Sequence, residues 1–394
     1  MDAGENNRTL SGLIAPAPQQ AWPDQAAVTR TAAGRRRAKR VIDFVQHLTI
    51  PSGIGQCKRF KLAPWQKAFI RDIYEPHIGT KRVVRRAILS VARKNGKTAL
   101  IAAIVLAHLV GSEAILHGEI YSAANDRDQA SIVYKFCKQL VEMEPELLKA
   151  IELVPSTKTM IGRNTGSVYH AVSAEAGTKH GYLPSVVIYD ELAQAKGRDP
   201  YDVLDTSFGA REEPLFITIN TQSNDPEHIL SKLIDDGLSG LNPSIICHLY
   251  AADEDCALDD EQQWKKANPA LDHFRDREDL AAQIRKAQRL PAEEPHVRNL
   301  LLNQRVAPVT TLVSKERWMD CAGEVGFQDG EEVYLALDQS NTQDLTALVI
   351  GSVSDPPRVH SYFWKPMTCF GSIPTATSAP ATCAIWNGSR PGIF

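Results

Sequence analysis

Ser90-Val91-Ala92-Arg93-Lys94-Asn95-Gly96-Lys97-Thr98 ends in the Gly-Lys-Thr of a phosphate-binding loop, with Val91 standing where the G-x-x-x-x-G-K-[ST] pattern has its first glycine. An apolar run from Ala87 to Val91 precedes it and another, Ala99 to Val110, follows. The order therefore reads strand, loop, helix. That order suits phosphate chemistry. Backbone N–H groups at a helix start face a nucleotide's phosphates, Lys97 reaches the β/γ oxygens, and the Thr98 hydroxyl holds Mg²⁺. Taken alone, the tripeptide fits equally an ordinary loop entering a helix.

A nucleotide hydrolase also needs a carboxylate-bearing strand beside the loop. Downstream the chain reads Ser185-Val186-Val187-Ile188-Tyr189-Asp190-Glu191, a Walker B pattern in which a β-branched run buried in a parallel sheet releases two acids at its carboxyl end. Asp190 is expected to hold Mg²⁺ through water and Glu191 to polarise the attacking water. Upstream, Trp65 and Gln66 precede an amphipathic segment, Lys67 to Tyr74; a glutamine there can read an adenine edge, with an aromatic alongside.

The remaining pattern alternates strands and helices. Glu119 to Ala124, Val168 to Ser173, Val186 to Tyr189 and Leu215 to Thr221 read as strands, and Asp128 to Glu142 as a helix. The expected class is α/β, a P-loop NTPase with a mostly parallel sheet and helices on both faces. Thr221 and Gln222, at the end of the strand after Walker B, are candidates to sense the γ-phosphate; a strand closing in a polar turn gives the same local pattern.

Composition bounds the class. The 394 residues are 43% hydrophobic and 23% charged with a formal net charge of −3, ordinary globular material with room for two domains. No apolar run approaches the roughly 18 residues of a membrane span. Seven cysteines without C-x-x-C spacing indicate neither a disulfide framework nor a zinc site. Basic clusters are local: Arg35, Arg36, Arg37, Lys39 and Arg40 close a polar N-terminal stretch expected to be disordered, and Lys81, Arg82, Arg85 and Arg86 precede the loop strand. Each suits DNA phosphates or plain solvent.

Trp65-Gln66, the Arg93 to Thr98 loop, Gly177-Thr178-Lys179-His180-Gly181 ahead of Asp190-Glu191, and the Thr221 strand together resemble the large terminase subunit of tailed bacteriophages over roughly residues 40 to 365. Members of that family commonly replace the first glycine of the loop and carry Arg or Lys inside it. The resemblance implies an ATP-driven motor, requiring Mg²⁺, that pumps double-stranded DNA through a portal protein into a procapsid in the host bacterial cytoplasm. It also implies a small terminase subunit as partner, a homo-oligomeric ring on the portal, and a C-terminal nuclease using Mg²⁺ or Mn²⁺. Arg93 would contact the γ-phosphate in cis as a catalytic cation, and Arg93, Lys94, Asn95, Gly96, Lys97 and Thr98 would form the phosphate cradle.

The nuclease half is unusual. Glu332 to Gly351 looks like the first hairpin of an RNase H-like fold, with Asp338 at the middle of its first strand as a metal ligand and Asp344 at a second family position. Residues 366–394 contain no Asp or Glu. We expect a truncated nuclease domain, lost to a frameshift or premature stop, and loss of endonuclease activity. The expected organisation is a disordered basic arm (1–40), the motor domain (41–224), a helical linker subdomain (225–310), the start of the nuclease domain (311–365) and an aberrant low-complexity tail (366–394). Alternatives are a helicase-like DNA translocase, for which no second RecA-like domain is evident, and a prophage remnant that folds poorly. A signalling GTPase lacks its N-K-x-D motif here.

Overall fold

A computed structural model describes residues 28–124, 127–173, 183–195, 199–271, 273–306, 326–339 and 346–364. The chain forms two compact units, Met1–Leu312 and Val313–Phe394. Gly177 to Gly181, Asp344 and residues 366–394 lie outside the described residues.

The first unit is built on an eight-stranded sheet whose order is β11-β4-β10-β9-β5-β8-β7-β6. Its six parallel strands are β4 (Arg86–Val91), β5 (Glu119–Ala124), β8 (Val168–Ser173), β9 (Val186–Asp190), β10 (Leu215–Asn220) and β11 (Ile245–Tyr250). β6 (Ile151–Val154) and β7 (Thr159–Gly162) add an antiparallel hairpin at one edge. Every residue of β9 and β10 is buried, Thr218 and Asn220 included, which is why Val186 to Tyr189 and Leu215 to Ile217 read as continuous runs.

Helices cover both faces. On one lie α1 (Ala32–His47), α2 (Pro64–Tyr74), α3 (Lys97–Leu109) and α4 (Arg127–Met143), packed with Leu89, Ile120, Ile188 and Ile217. From Leu100 to Leu109 every residue of α3 is buried, the signature of a helix apolar all round. α4 buries Ala130, Val133, Tyr134, Cys137, Leu140 and Val141, one stripe at helical spacing. A short helix, α5 (Pro145–Ala150), leads from α4 into β6. On the other face α6 (Asp199–Thr206) and α7 (Ile229–Ser239) pack on Ile88, Val187 and Phe216. The α/β class with a mostly parallel sheet is thus the observed one. Three further helices, α8 (Glu261–Ala267), α9 (Arg277–Arg289) and α10 (Glu294–Leu302), share a core of Trp264, Leu280, Ile284, Val297 and Leu302. Among the described residues no helix is long and apolar enough to cross a membrane.

Two expectations change. The main sheet does not stop near residue 224, because β11 pairs in parallel with β4 from Ile245↔Arg86 to Tyr250↔Val91. Only Ile245 of this edge strand is fully buried, so its sequence gives a weak strand signal. The basic cluster, expected in a disordered arm, is helical. Thr31 caps α1 by accepting from the Gly34 amide, and Arg37 is clamped by Glu113 at 2.8 Å and Glu213 at 2.9 Å. Gly34 packs against the Glu75 carbonyl so closely that a Cβ would lie 2.2 Å from it. Ahead of α1, β1 (Thr29–Arg30) joins β2 (Pro76–Ile78) and β3 (Lys81–Arg82) in a small antiparallel sheet.

The second unit contains an antiparallel sheet ordered β12-β13-β14, from β12 (Val333–Asp338), β13 (Thr346–Ser352) and β14 (Val359–Trp364). Asp338 closes β12 opposite Ala347 rather than lying mid-strand. Among the described residues no cluster of three His, Cys, Asp or Glu side chains could hold a metal ion.

Candidate nucleotide site

The carboxyl ends of β4, β10 and β9 place the loop, the Thr221 segment and the Asp190–Glu191 pair side by side, where parallel α/β sheets carry their ligands. Between β4 and α3 the backbone turns through positive φ at Lys94 (65°) and at Gly96 (74°). Gly96 satisfies two demands at once. A side chain there would be strained, and its Cβ would sit 3.0 Å from the Phe274 ring.

Lys97, the first residue of α3, folds back so that its Nζ donates to the Val91 carbonyl at 2.6 Å. Desolvation lowers its pKa to about 8, against the upward pull of Asp190 and Glu191. Asp190, buried at the end of β9, is pushed up to about 6 by the same desolvation, which Lys97 opposes. Glu191 takes a left-handed backbone (φ 58°), its amide donates to Ile219 O at 3.1 Å, and its Oε1 lies 3.9 Å from Nη2 of Arg93. The left-handed turn aims Glu191 off the strand, back over the loop. Thr98 follows Lys97 in the first turn of α3, half-buried. One hydroxyl and one carboxylate beside a helix N-terminus and a lysine fit a Mg²⁺ that takes its other ligands from phosphate oxygens and water.

Other candidates have different tasks. Asn95 is fully buried and turned away from a ligand: its Nδ2 donates to Ala92 O at 3.0 Å and Asn268 Oδ1 at 2.8 Å, and its Oδ1 accepts from the Ala270 amide at 3.1 Å. Lys94 reaches Asp279 of α9 at 2.8 Å. The Arg93 carbonyl accepts from the Arg275 guanidinium, and its amide donates to Leu300 O at 2.9 Å. The helical segment α8–α10 therefore holds the loop from outside. Gln66 is buried with its Oε1 accepting from the Ala63 amide at 2.9 Å, the one half of a capping box that an alanine N-cap allows at the start of α2. That bond gives the Gln66 carbonyl a local task at the start of α2. Trp65 is buried edge-on to Tyr250 with ring centroids 5.7 Å apart, and its Nε1 has no hydrogen-bond partner among the described residues. Tyr250 is in register with Val91.

Thr221 is half-buried just beyond β10. Its neighbours are fixed on both sides. Asn220 Oδ1 accepts from the Ala193 amide at 3.2 Å, and the Gln222 amide donates to Asn303 Oδ1 at 2.7 Å. Sequence reading missed Tyr250, Asn268, Phe274, Arg275 and Asn303. They are scattered through a stretch with no motif of its own, so only the tertiary fold gathers them at the loop.

Two family models match the chain: "Terminase large subunit, ATPase domain" over residues 64–236 and "Terminase large subunit, endonuclease domain" over residues 243–377. The large terminase subunit of Enterobacteria phage HK97 is 43% identical over 337 residues, covering 84% of this chain and 66% of the relative. The crystal structure of the HK97 bacteriophage large terminase aligns with a TM-score of 0.64 at 41% identity, over 84% of this chain and 68% of that one. The chain thus spans about two thirds of the length of the relative it matches. The endonuclease match runs past Lys365, where the composition was expected to leave the family. An expected loss of endonuclease activity accordingly finds no support.

Proposed function

Because the chain belongs to the large terminase subunit family, we propose that its first unit hydrolyses ATP to drive double-stranded DNA through a portal protein into a procapsid. The observation that carries the reading is the convergence of Lys97, Asp190, Glu191 and Arg93 at the carboxyl ends of β4 and β9. Lys97 would exchange the Val91 carbonyl for β/γ-phosphate oxygens, with the loop amides at the α3 N-terminus alongside. Thr98 and Asp190 would hold Mg²⁺, which neutralises charge on the β- and γ-oxygens. Glu191 orients the attacking water and takes its proton. Arg93, beside Glu191 in this structure, would turn to the γ-phosphate as negative charge develops there.

We propose that the motor extends past β11; the pairing of that strand with β4 supports this. Asp338, with Asp344, is proposed as metal-binding in the endonuclease part. The working state is proposed as a homo-oligomeric ring on the portal, fed by a small terminase subunit, in the host bacterial cytoplasm. A phosphate-release assay on the purified chain with Mg²⁺-ATP, with and without linear duplex DNA, tests the reading. DNA-stimulated hydrolysis that disappears in Lys97→Ala is expected. An equal rate in Lys97→Ala refutes it.

A further inference from the structure

Asn303 ends α10 in a left-handed conformation (φ 55°) that asparagine tolerates better than most side chains, and it is fully buried. Its side-chain amide lies across the carboxyl ends of three adjacent parallel strands. Nδ2 donates to Ser90 Oγ at 3.1 Å, at the end of β4, and to Tyr250 O at 2.9 Å, the last residue of β11. Oδ1 accepts from the Gln222 amide at 2.7 Å, just beyond β10. The Gln222 side chain completes the joint: its Nε2 donates to Asn303 O, and its Oε1 accepts from Arg305 Nε at 2.9 Å. Arg305 in turn grips Asp235 of α7 at 2.6 Å.

Position makes this more than a packing contact. Ser90 lies immediately before Val91, whose carbonyl holds Lys97, and Gln222 is two residues past Asn220, which bonds the amide of Ala193 behind Glu191. One amide therefore touches the phosphate loop's strand and the strand that flanks Glu191. Ser90 and Gln222 belong to the stretch matching the ATPase model, and Asn303 to the stretch matching the endonuclease model. Both donor hydrogens and the acceptor are engaged at short range, so the strand ends cannot shift against one another without breaking a buried hydrogen bond.

We propose that Asn303 is a positioning residue that transmits the occupancy of the phosphate loop, through Ser90 and Gln222, to α10 and Arg305. The proposal rests on the ATPase reading above. It makes hydrolysis depend on a residue that touches neither nucleotide nor metal.

Asn303→Gly is the informative substitution, because glycine accepts the left-handed backbone while the amide is removed. Asn303→Asp is the second variant: it keeps shape and the acceptor for Gln222 but loses both donated bonds. In the full chain, both variants are expected to lower kcat about tenfold or more while KM for ATP stays within about threefold. Gln222→Ala combined with Asn303→Gly is expected to be no slower than the worse single variant, as for residues acting in one chain. Hydrogen exchange supplies a readout that does not depend on turnover. A non-hydrolysable ATP analogue with Mg²⁺ should change the protection of the α10 amides in the wild type and leave them unchanged in Asn303→Gly. Wild-type kcat in both variants, additive losses in the double variant, or an α10 indifferent to bound analogue overturns the proposal. Absence of analogue binding by the wild type would instead overturn the ATPase reading itself.

Discussion

Replacing Glu191 by glutamine tests the chemistry at its centre. Glutamine preserves the length of the side chain and keeps the backbone bond from residue 191 to Ile219 O, while removing the negative charge and the proton-accepting oxygen. Folding should hardly notice. The Arg93–Glu191 pair is 3.9 Å apart with side chains 45% and 35% exposed, and ion pairs of that kind contribute about 0–1 kcal/mol. Nucleotide binding should also survive, since on the proposed reading the phosphate contacts fall to Lys97, Thr98 and the loop amides, and the metal contact to Asp190. Hydrolysis should not. A positioned general base contributes roughly 10²–10⁴ in rate, which corresponds to about 3–5 kcal/mol of barrier at about 1.4 kcal/mol per tenfold. The assay pairs steady-state phosphate release at saturating Mg²⁺-ATP with equilibrium binding of a fluorescent ATP analogue. A Glu191→Gln protein that hydrolyses within about twofold of the wild type would refute the assignment of Glu191, and Asp190 would become the candidate base.

Other outcomes follow from the same geometry. Asp190 is held up near 6, so Mg²⁺ must compete with its proton below that value; the Mg²⁺ concentration for half-maximal hydrolysis should fall as pH rises through 6 and level off above it. A flat Mg²⁺ dependence across this range would contradict that. Lys97, lowered to about 8, should be drawn back to its charged form by phosphate, so ATP binding takes up a proton above pH 8 and affinity falls as pH rises further; calorimetry in buffers of different ionisation heat reads the uptake. Gly96→Ala places a Cβ about 3.0 Å from the Phe274 ring at φ 74°, and should cost roughly 1–2 kcal/mol in a denaturant melt. Adding Phe274→Ala should relieve the clash but not the backbone strain.

Much of the parallel sheet was legible because its central strands are buried on both faces: Val186 to Tyr189 and Leu215 to Ile217 are apolar runs, and even Thr218 and Asn220 of β10 are buried. The strand–loop–helix order around Gly96-Lys97-Thr98 was legible because its pattern is local. β11 was not, since an edge strand reading Ile245-Ile246-Cys247-His248-Leu249-Tyr250 is mostly half-buried and lacks a clear period. The arginine-rich stretch misled because charge content argues for a solvated arm, whereas Arg37 is neutralised by two glutamates brought in from distant segments. Gln66 and Asn95 show a related limit. An amide announces hydrogen bonding without naming its partner, and those partners were a neighbouring backbone amide and a residue 173 positions away.

The loop's supports have a consequence for the order in which the protein is made. Lys97 and its flanking strand leave the ribosome early, yet the partner of Asn95 is separated from it by 173 positions and that of Ser90 by 213. Contacts so remote in sequence can form only after the distant segment has been made, at an entropic cost of chain closure that rises with their separation. A nascent chain that has emerged only through residue 236 would carry every motif of the candidate nucleotide site while lacking β11 beside β4 and each outside brace on the loop. On the proposed reading, full turnover would arise only once the segment through Asn303 has emerged and the last braces on the loop are in place.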